Sequence, residues 1–146
     1  MARTNVIKPN EKVFVDTAAR IGLLLTGDEL HEQATETIRK LRRQDARLIT
    51  TEAILTEFLN ALSAVKFRAK AIAFVDALRT LANVEIILNN VELFEKGLNL
   101  YRERTDKNWS LTDCGSFVVM REREINTAFT SDKHFRQAGF VRLLEK

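Results

Sequence analysis

The sequence predicts an α/β fold: a three-layer α/β/α sandwich around a mostly parallel five-stranded sheet. Three observations carry this. Short unalternating apolar runs such as Val13-Phe14-Val15 read as strands buried on both faces, as parallel strands are. Helical periodicities separate these runs one by one, which requires right-handed crossovers. The 146 residues include one proline, five glycines and no Ser/Gly-rich stretch, so a single domain over 1–146 is expected.

Residues 1–11 are polar and predict a loose N-terminal arm. Val13-Phe14-Val15 forms strand one and stops abruptly at Asp16. Thr17 to Leu25 reads as a short helix closed near Gly27. A second helix runs from about Glu29 to Gln44, with Ala34, Ile38 and Leu41 on one face and His31 expected at the surface. Leu48-Ile49-Thr50 is strand two, feeding a helix from about Thr51 to Ser63 with an apolar stripe of Ile54, Leu55, Phe58, Leu59 and Leu62. The pattern recurs from Arg68 to Leu81 through Ile72, Val75, Leu78 and Leu81. Val84 to Ile87 is strand three, and Val91, Phe94, Leu98 and Tyr101 mark the expected inner face of a helix ending near Arg104.

Ser110-Leu111-Thr112-Asp113 opens the next helix with a near capping box, its acid suited to the positive helix end. That helix ends near Arg121 to Arg123. Thr127-Ala128-Phe129 is strand four, followed by Ser131-Asp132 and a helical turn through His134 and Phe135. Phe140 to Leu143 is strand five.

Composition narrows the function classes. With 45% hydrophobic and 29% charged residues, the chain is neither disordered nor collagen-like. The single cysteine, Cys114, excludes an intramolecular disulfide and a multi-cysteine zinc site, and fits a reducing compartment. No apolar run reaches the ~18 residues of a membrane span, and the start Met1-Ala2-Arg3-Thr4-Asn5 lacks a hydrophobic leader. A cytoplasmic protein with no membrane partner is expected. A net charge of +3 is compatible with a phosphate-rich partner and too small to establish one.

Parallel sheets place ligands beyond the carboxyl ends of their strands. Asp16 stands where strand one stops, and Asp132 just past strand four. Asp113 lies in the first turn of the helix leading into strand four, and Glu57 rides the edge of the buried stripe after strand two. Each has an ordinary reading: Asp113 as a helix-start acid, Asp132 as a turn or cap residue, Glu57 as a solvated helix glutamate. Together they place four carboxylates on one rim of the sheet. Four such groups repel one another unless a cation joins them. Their hard oxygens suit Mg²⁺ or Mn²⁺, which can polarise a phosphoryl oxygen and activate water. That is phosphodiester hydrolysis without a protein nucleophile.

At these residues the chain resembles the PIN-domain family of metal-dependent ribonucleases. The resemblance lies in Val13-Phe14-Val15-Asp16-Thr17, in Thr51-Glu52-Ala53-Ile54-Leu55-Thr56-Glu57-Phe58, and most strongly in Trp109-Ser110-Leu111-Thr112-Asp113-Cys114-Gly115-Ser116-Phe117 and Ala128-Phe129-Thr130-Ser131-Asp132-Lys133-His134-Phe135. It implies strand order 3-2-1-4-5 and an acidic pocket holding Mg²⁺ or Mn²⁺. Asp16, Glu57, Asp113 and Asp132 match the family's four acidic positions, and Thr130 a hydroxyl that supports the pocket. Members of this size are often VapC-like toxins that cleave RNA, dimerise and are silenced by an antitoxin. His134 stands where an acid is frequent in those toxins.

Other residues read more plainly. His134 is near enough to assist proton transfer, although packing on its short helix is the ordinary reading. Cys114 falls on an apolar helix face and reads as a small core residue, Trp109 as a packing anchor. Basic clusters at Arg39–Arg47, Lys66–Lys70 and Arg121, Arg123, Lys133 and Arg136 read as solvated faces, with the third close in sequence to the acids. Asp28, Asp76 and Asp106 read as loop or exposed-helix acids. Three functions stay open: a Mg²⁺/Mn²⁺-dependent endoribonuclease, a catalytically silent PIN-like module that binds RNA or protein, and a phosphoacceptor switch. The last usually pairs acids early in the chain, whereas Asp16 stands alone on strand one.

Overall fold

The computed structural model describes residues 6–145. β1 (Lys12–Val15) is the central strand, flanked by β2 (Arg47–Thr51) and β4 (Thr127–Phe129), with β3 (Val84–Ile87) and β5 (Val141–Arg142) outermost. All four pairings are parallel and the order is β3-β2-β1-β4-β5. The strands are joined through α1 (Thr17–Leu24), α2 (His31–Arg43), α3 (Glu52–Ala61), α4 (Val65–Leu78), α5 (Val91–Glu103), α6 (Leu111–Glu122) and α7 (Lys133–Gln137). Among the described residues no helix is long and apolar enough to cross a membrane.

The unbroken apolar run of β1 has the double burial expected of it. Phe14 points to one face, among Ile49, Trp109, Phe117 and Phe135, while Val13 and Val15 join Ala34, Leu41 and Leu48 on the other. Phe14, Phe117, Phe129 and Phe135 are fully buried, and each side chain of this size contributes roughly 1.5–3 kcal/mol by leaving water. Trp109 is a packing anchor: its ring meets Phe117 edge-on at 4.9 Å, and its Nε1 donates to Gln137 Oε1 at 3.1 Å. Cys114 is buried in the same cluster. A third cluster, Phe58, Leu62 and Ala71, ties α3 and α4 to α1.

Four expectations are corrected. Residues 1–5 of the N-terminal arm lie outside the described residues, but the rest is not loose. Ile7 is buried against the sheet, Asn10 N donates to Gln44 O at 2.7 Å, and Arg47 N to Glu11 O at 2.9 Å. His31 is half-buried, its Nδ1 2.8 Å from Gly22 O, where it ties α2 to α1. α4 ends at Leu78, so Leu81 lies beyond it; Leu81 and Ile72 are exposed, and the inner face of α4 is Phe67, Ala71, Phe74 and Val75. The Phe58–Phe74 ring pair, 5.3 Å apart, sets that rotation.

The fourth correction is the largest. Val91, Phe94 and Tyr101 of α5 face solvent, and the buried face is Leu93, Gly97 and Leu100. A Cβ on Gly97 would sit 3.4 Å from the backbone of Gly115 in α6. Gly97 thus sets its bare backbone against the backbone of α6 at Gly115, with Leu93 and Leu100 buried on the same face of α5.

Candidate metal centre at the carboxyl edge of the sheet

Pairing places the first acid. β1 and β4 run in register with Val15 opposite Phe129, so the next residues, Asp16 and Thr130, emerge side by side. Asp16 N donates to Phe129 O at 3.2 Å. Its carboxylate makes none of the usual side-chain cap bonds to α1 and instead accepts from Thr130 Oγ1 at 2.8 Å. The same Thr130 oxygen accepts from Asp132 N at 3.0 Å. One buried hydroxyl thus joins two of the acids. Burial pushes the Asp16 carboxyl up to about 7, and the nearby Glu57 and Asp132 carboxylates push in the same direction. The Thr130 hydroxyl and the Thr17 amide oppose the rise.

Asp113 and Asp132 are both helix-start residues, and their ordinary structural readings are correct. Ser110 Oγ accepts from Asp113 N at 2.9 Å, and Asp113 Oδ2 accepts from Ser110 N at 3.0 Å, completing the capping box. Asp132 caps α7 by accepting His134 N at 2.9 Å on Oδ1. These bonds fix the carboxylates without removing them from the site. His134 Nδ1 lies 3.0 Å from Asp113 Oδ2 and 3.4 Å from Asp132 Oδ1. Donor atoms of Asp113, Asp132 and His134 all lie within 4.8 Å of one another. Burial raises the Asp113 carboxyl and Asp132 adds to this, while the Ser110 backbone and His134 pull it down.

Glu57 is exposed at the rim, where its Oε1 accepts from Thr17 Oγ1 at 2.6 Å. The four acids thus form a chain. Glu57 and Asp16 meet across α1 and α3, Thr130 links Asp16 to Asp132, and Asp132 meets Asp113 and His134. Asp16 and Glu57 stand outside the tight trio.

Of the third basic cluster, Arg123 is far from the acids. It forms a two-pronged pair with Glu85, and its carbonyl accepts Lys12 Nζ at the opposite end of β1. Sequence reasoning missed Arg20. It is buried on α1 one turn after Asp16, its Nε has no hydrogen-bond partner, and burial lowers its guanidinium to about 10 while Asp16 opposes the shift. A lone arginine in the apolar run Thr17-Ala18-Ala19-Arg20-Ile21-Gly22-Leu23-Leu24 was the available signal.

A divalent cation fits this donor set. The carboxylates are hard oxygen ligands, and burial first, with repulsion from neighbouring carboxylates adding to it, pushes Asp16 and Asp113 up. A strand-end acidic pocket on a parallel α/β sheet is the place where this fold class binds its ligands. The PIN domain family model matches residues 13–141, and the chain belongs to the PIN-domain family. The 23S rRNA-specific endonuclease VapC20 of Mycobacterium tuberculosis is 29% identical over 130 residues, covering 88% of this chain and 95% of that one. The crystal structure of that VapC20, a Sarcin-Ricin loop cleaving toxin, superposes with a TM-score of 0.77 at 27% identity, over 88% of this chain and 96% of that one. VapBC2 from Rickettsia felis, bound to a DNA fragment from their promoter, shares the fold with a TM-score of 0.66 at 13% identity, over 90% and 96%.

Proposed function

We propose that the chain is a divalent-metal-dependent endoribonuclease and the toxin of a toxin–antitoxin pair. The observation that carries this is the Asp16–Thr130–Asp132–Asp113 connection at the carboxyl ends of the two central strands, where open α/β sheets bind ligands. Likeness to a relative named as an rRNA-specific endonuclease supports RNA as the substrate class. A homodimer and an antitoxin partner belong to the same reading.

Asp16, Asp113 and Asp132 would hold Mg²⁺ or Mn²⁺, with Glu57 completing the set or orienting water. Lewis-acid polarisation of a phosphoryl oxygen and acidification of water are what such an ion supplies when bound. The chain's own residues prepare the place. Thr130 keeps Asp16 and Asp132 in fixed relation, the capping box holds Asp113, and Thr17 holds Glu57. Arg20 supplies a buried positive charge that favours the ionised form of Asp16.

Asp16→Asn and Asp113→Asn keep shape and remove ligand charge. Each is expected to lower Mn²⁺-supported cleavage of single-stranded RNA at least ~100-fold, the scale of losing a preorganised electrostatic group. Undiminished cleavage by both purified variants sinks the mechanism.

A further inference from the structure

We propose that His134 is itself a metal ligand through Nδ1, beside Asp113 and Asp132, and that this nitrogen makes the site prefer Mn²⁺ over Mg²⁺. The inference builds on the metal-dependent reading above and deepens it.

Geometry comes first. Adjacent corners of an octahedron with bonds of ~2.1 Å lie ~3 Å apart. Nδ1 stands 3.0 Å from one carboxylate oxygen and 3.4 Å from the other, close to that spacing on both edges, and all three donors lie within 4.8 Å of one another. The backbone that carries the imidazole is also fixed on both sides. The His134 N–H donates to Asp132 Oδ1 at 2.9 Å, and the next residue, Phe135, is locked in the core against Phe14 and Phe117. A freely solvated histidine needs none of this. Chemistry supplies the preference: all-oxygen sets suit Mg²⁺, whereas imidazole raises affinity for first-row transition ions.

The chain holds two histidines, which makes the assignment testable by spectroscopy. His31 lies between α1 and α2 with Nδ1 against Gly22 O. The experiment loads the full, metal-stripped chain with Mn²⁺ and records electron spin-echo envelope modulation, which reports a directly bound nitrogen. Calorimetric titrations with Mn²⁺ and Mg²⁺ run alongside. Nitrogen modulation is expected in the unmodified chain and in His31→Gln, and its loss in His134→Gln. The same substitution is expected to weaken Mn²⁺ by ~10-fold or more and Mg²⁺ by less than ~3-fold. Bound Mn²⁺ without nitrogen modulation overturns the His134 assignment while the acidic metal site stands. Equal losses for the two ions overturn the preference. Failure of the unmodified chain to bind Mn²⁺ overturns both this inference and the metal-dependent reading. Since the unmodified chain carries the decisive signal, a poorly folding variant does not blunt the test.

Discussion

Asp16 is a buried carboxyl that favours its neutral form in the metal-free fold. Its folded value, about 7, lies above the ordinary 3.8, so the stability gained from holding a proton is complete below about pH 4. That stability is lost as pH rises through about 7. Asp113 is raised for the same first reason and adds to the trend. Urea unfolding in chelator is therefore expected to give a lower free energy at pH 8 than at pH 5, by a few kcal/mol in order of magnitude. Asp16→Asn should flatten much of the difference and be the more stable protein at pH 8. A metal-free profile that is flat, or that rises with pH, contradicts this account of Asp16. Arg20 opposes the effect without cancelling it, because burial remains the largest influence on Asp16.

Helices are where sequence and structure part company most instructively. β3 and β4 have the expected limits, and Asp16, Asp113 and Asp132 are where strand ends and helix starts put them. Those features are local: an apolar run that stops, a serine three residues before an acid. The inner faces of α4 and α5 are not local. Counting apolar side chains chose Val91, Phe94, Leu98 and Tyr101, but the face of α5 turned to α6 centres on Gly97, which has no side chain to count. His134 was read as near the pocket, but its contact with Asp113 spans 21 positions and left no local signal. The glycine contact makes its own prediction. Gly97→Leu must push α6 aside and is expected to cost roughly 1–3 kcal/mol by overpacking, seen as a lower melting temperature, while the outward-facing Phe94→Ser changes it little. Equal effects from the two would mean that α5 is rotated from the described orientation.

For the molecule as a whole, the site is a coupling between metal and folding. The donors come from α3, α6 and the loops after β1 and β4, so the unfolded chain presents no comparable site. Mn²⁺ at a hundredfold excess over its dissociation constant should add about 2.7 kcal/mol, or roughly 5–10 °C of melting temperature at this size. Chelator should reverse the gain, and the Asp16→Asn, Asp113→Asn double variant should show none. A melting temperature unmoved by Mn²⁺ in the unmodified chain rules out a site that exists only in the fold. On the proposed reading, a cation neutralising these acids would leave a surface for RNA more basic than the net +3 implies. The Thr130–Asp16 hydrogen bond spans 114 positions, and the strand that delivers Thr130, β4, slots beside β1 near the end of the chain. A fragment ending before β4 would therefore carry Asp16 without the hydroxyl that positions it, so neither half of the sheet can assemble the candidate site alone.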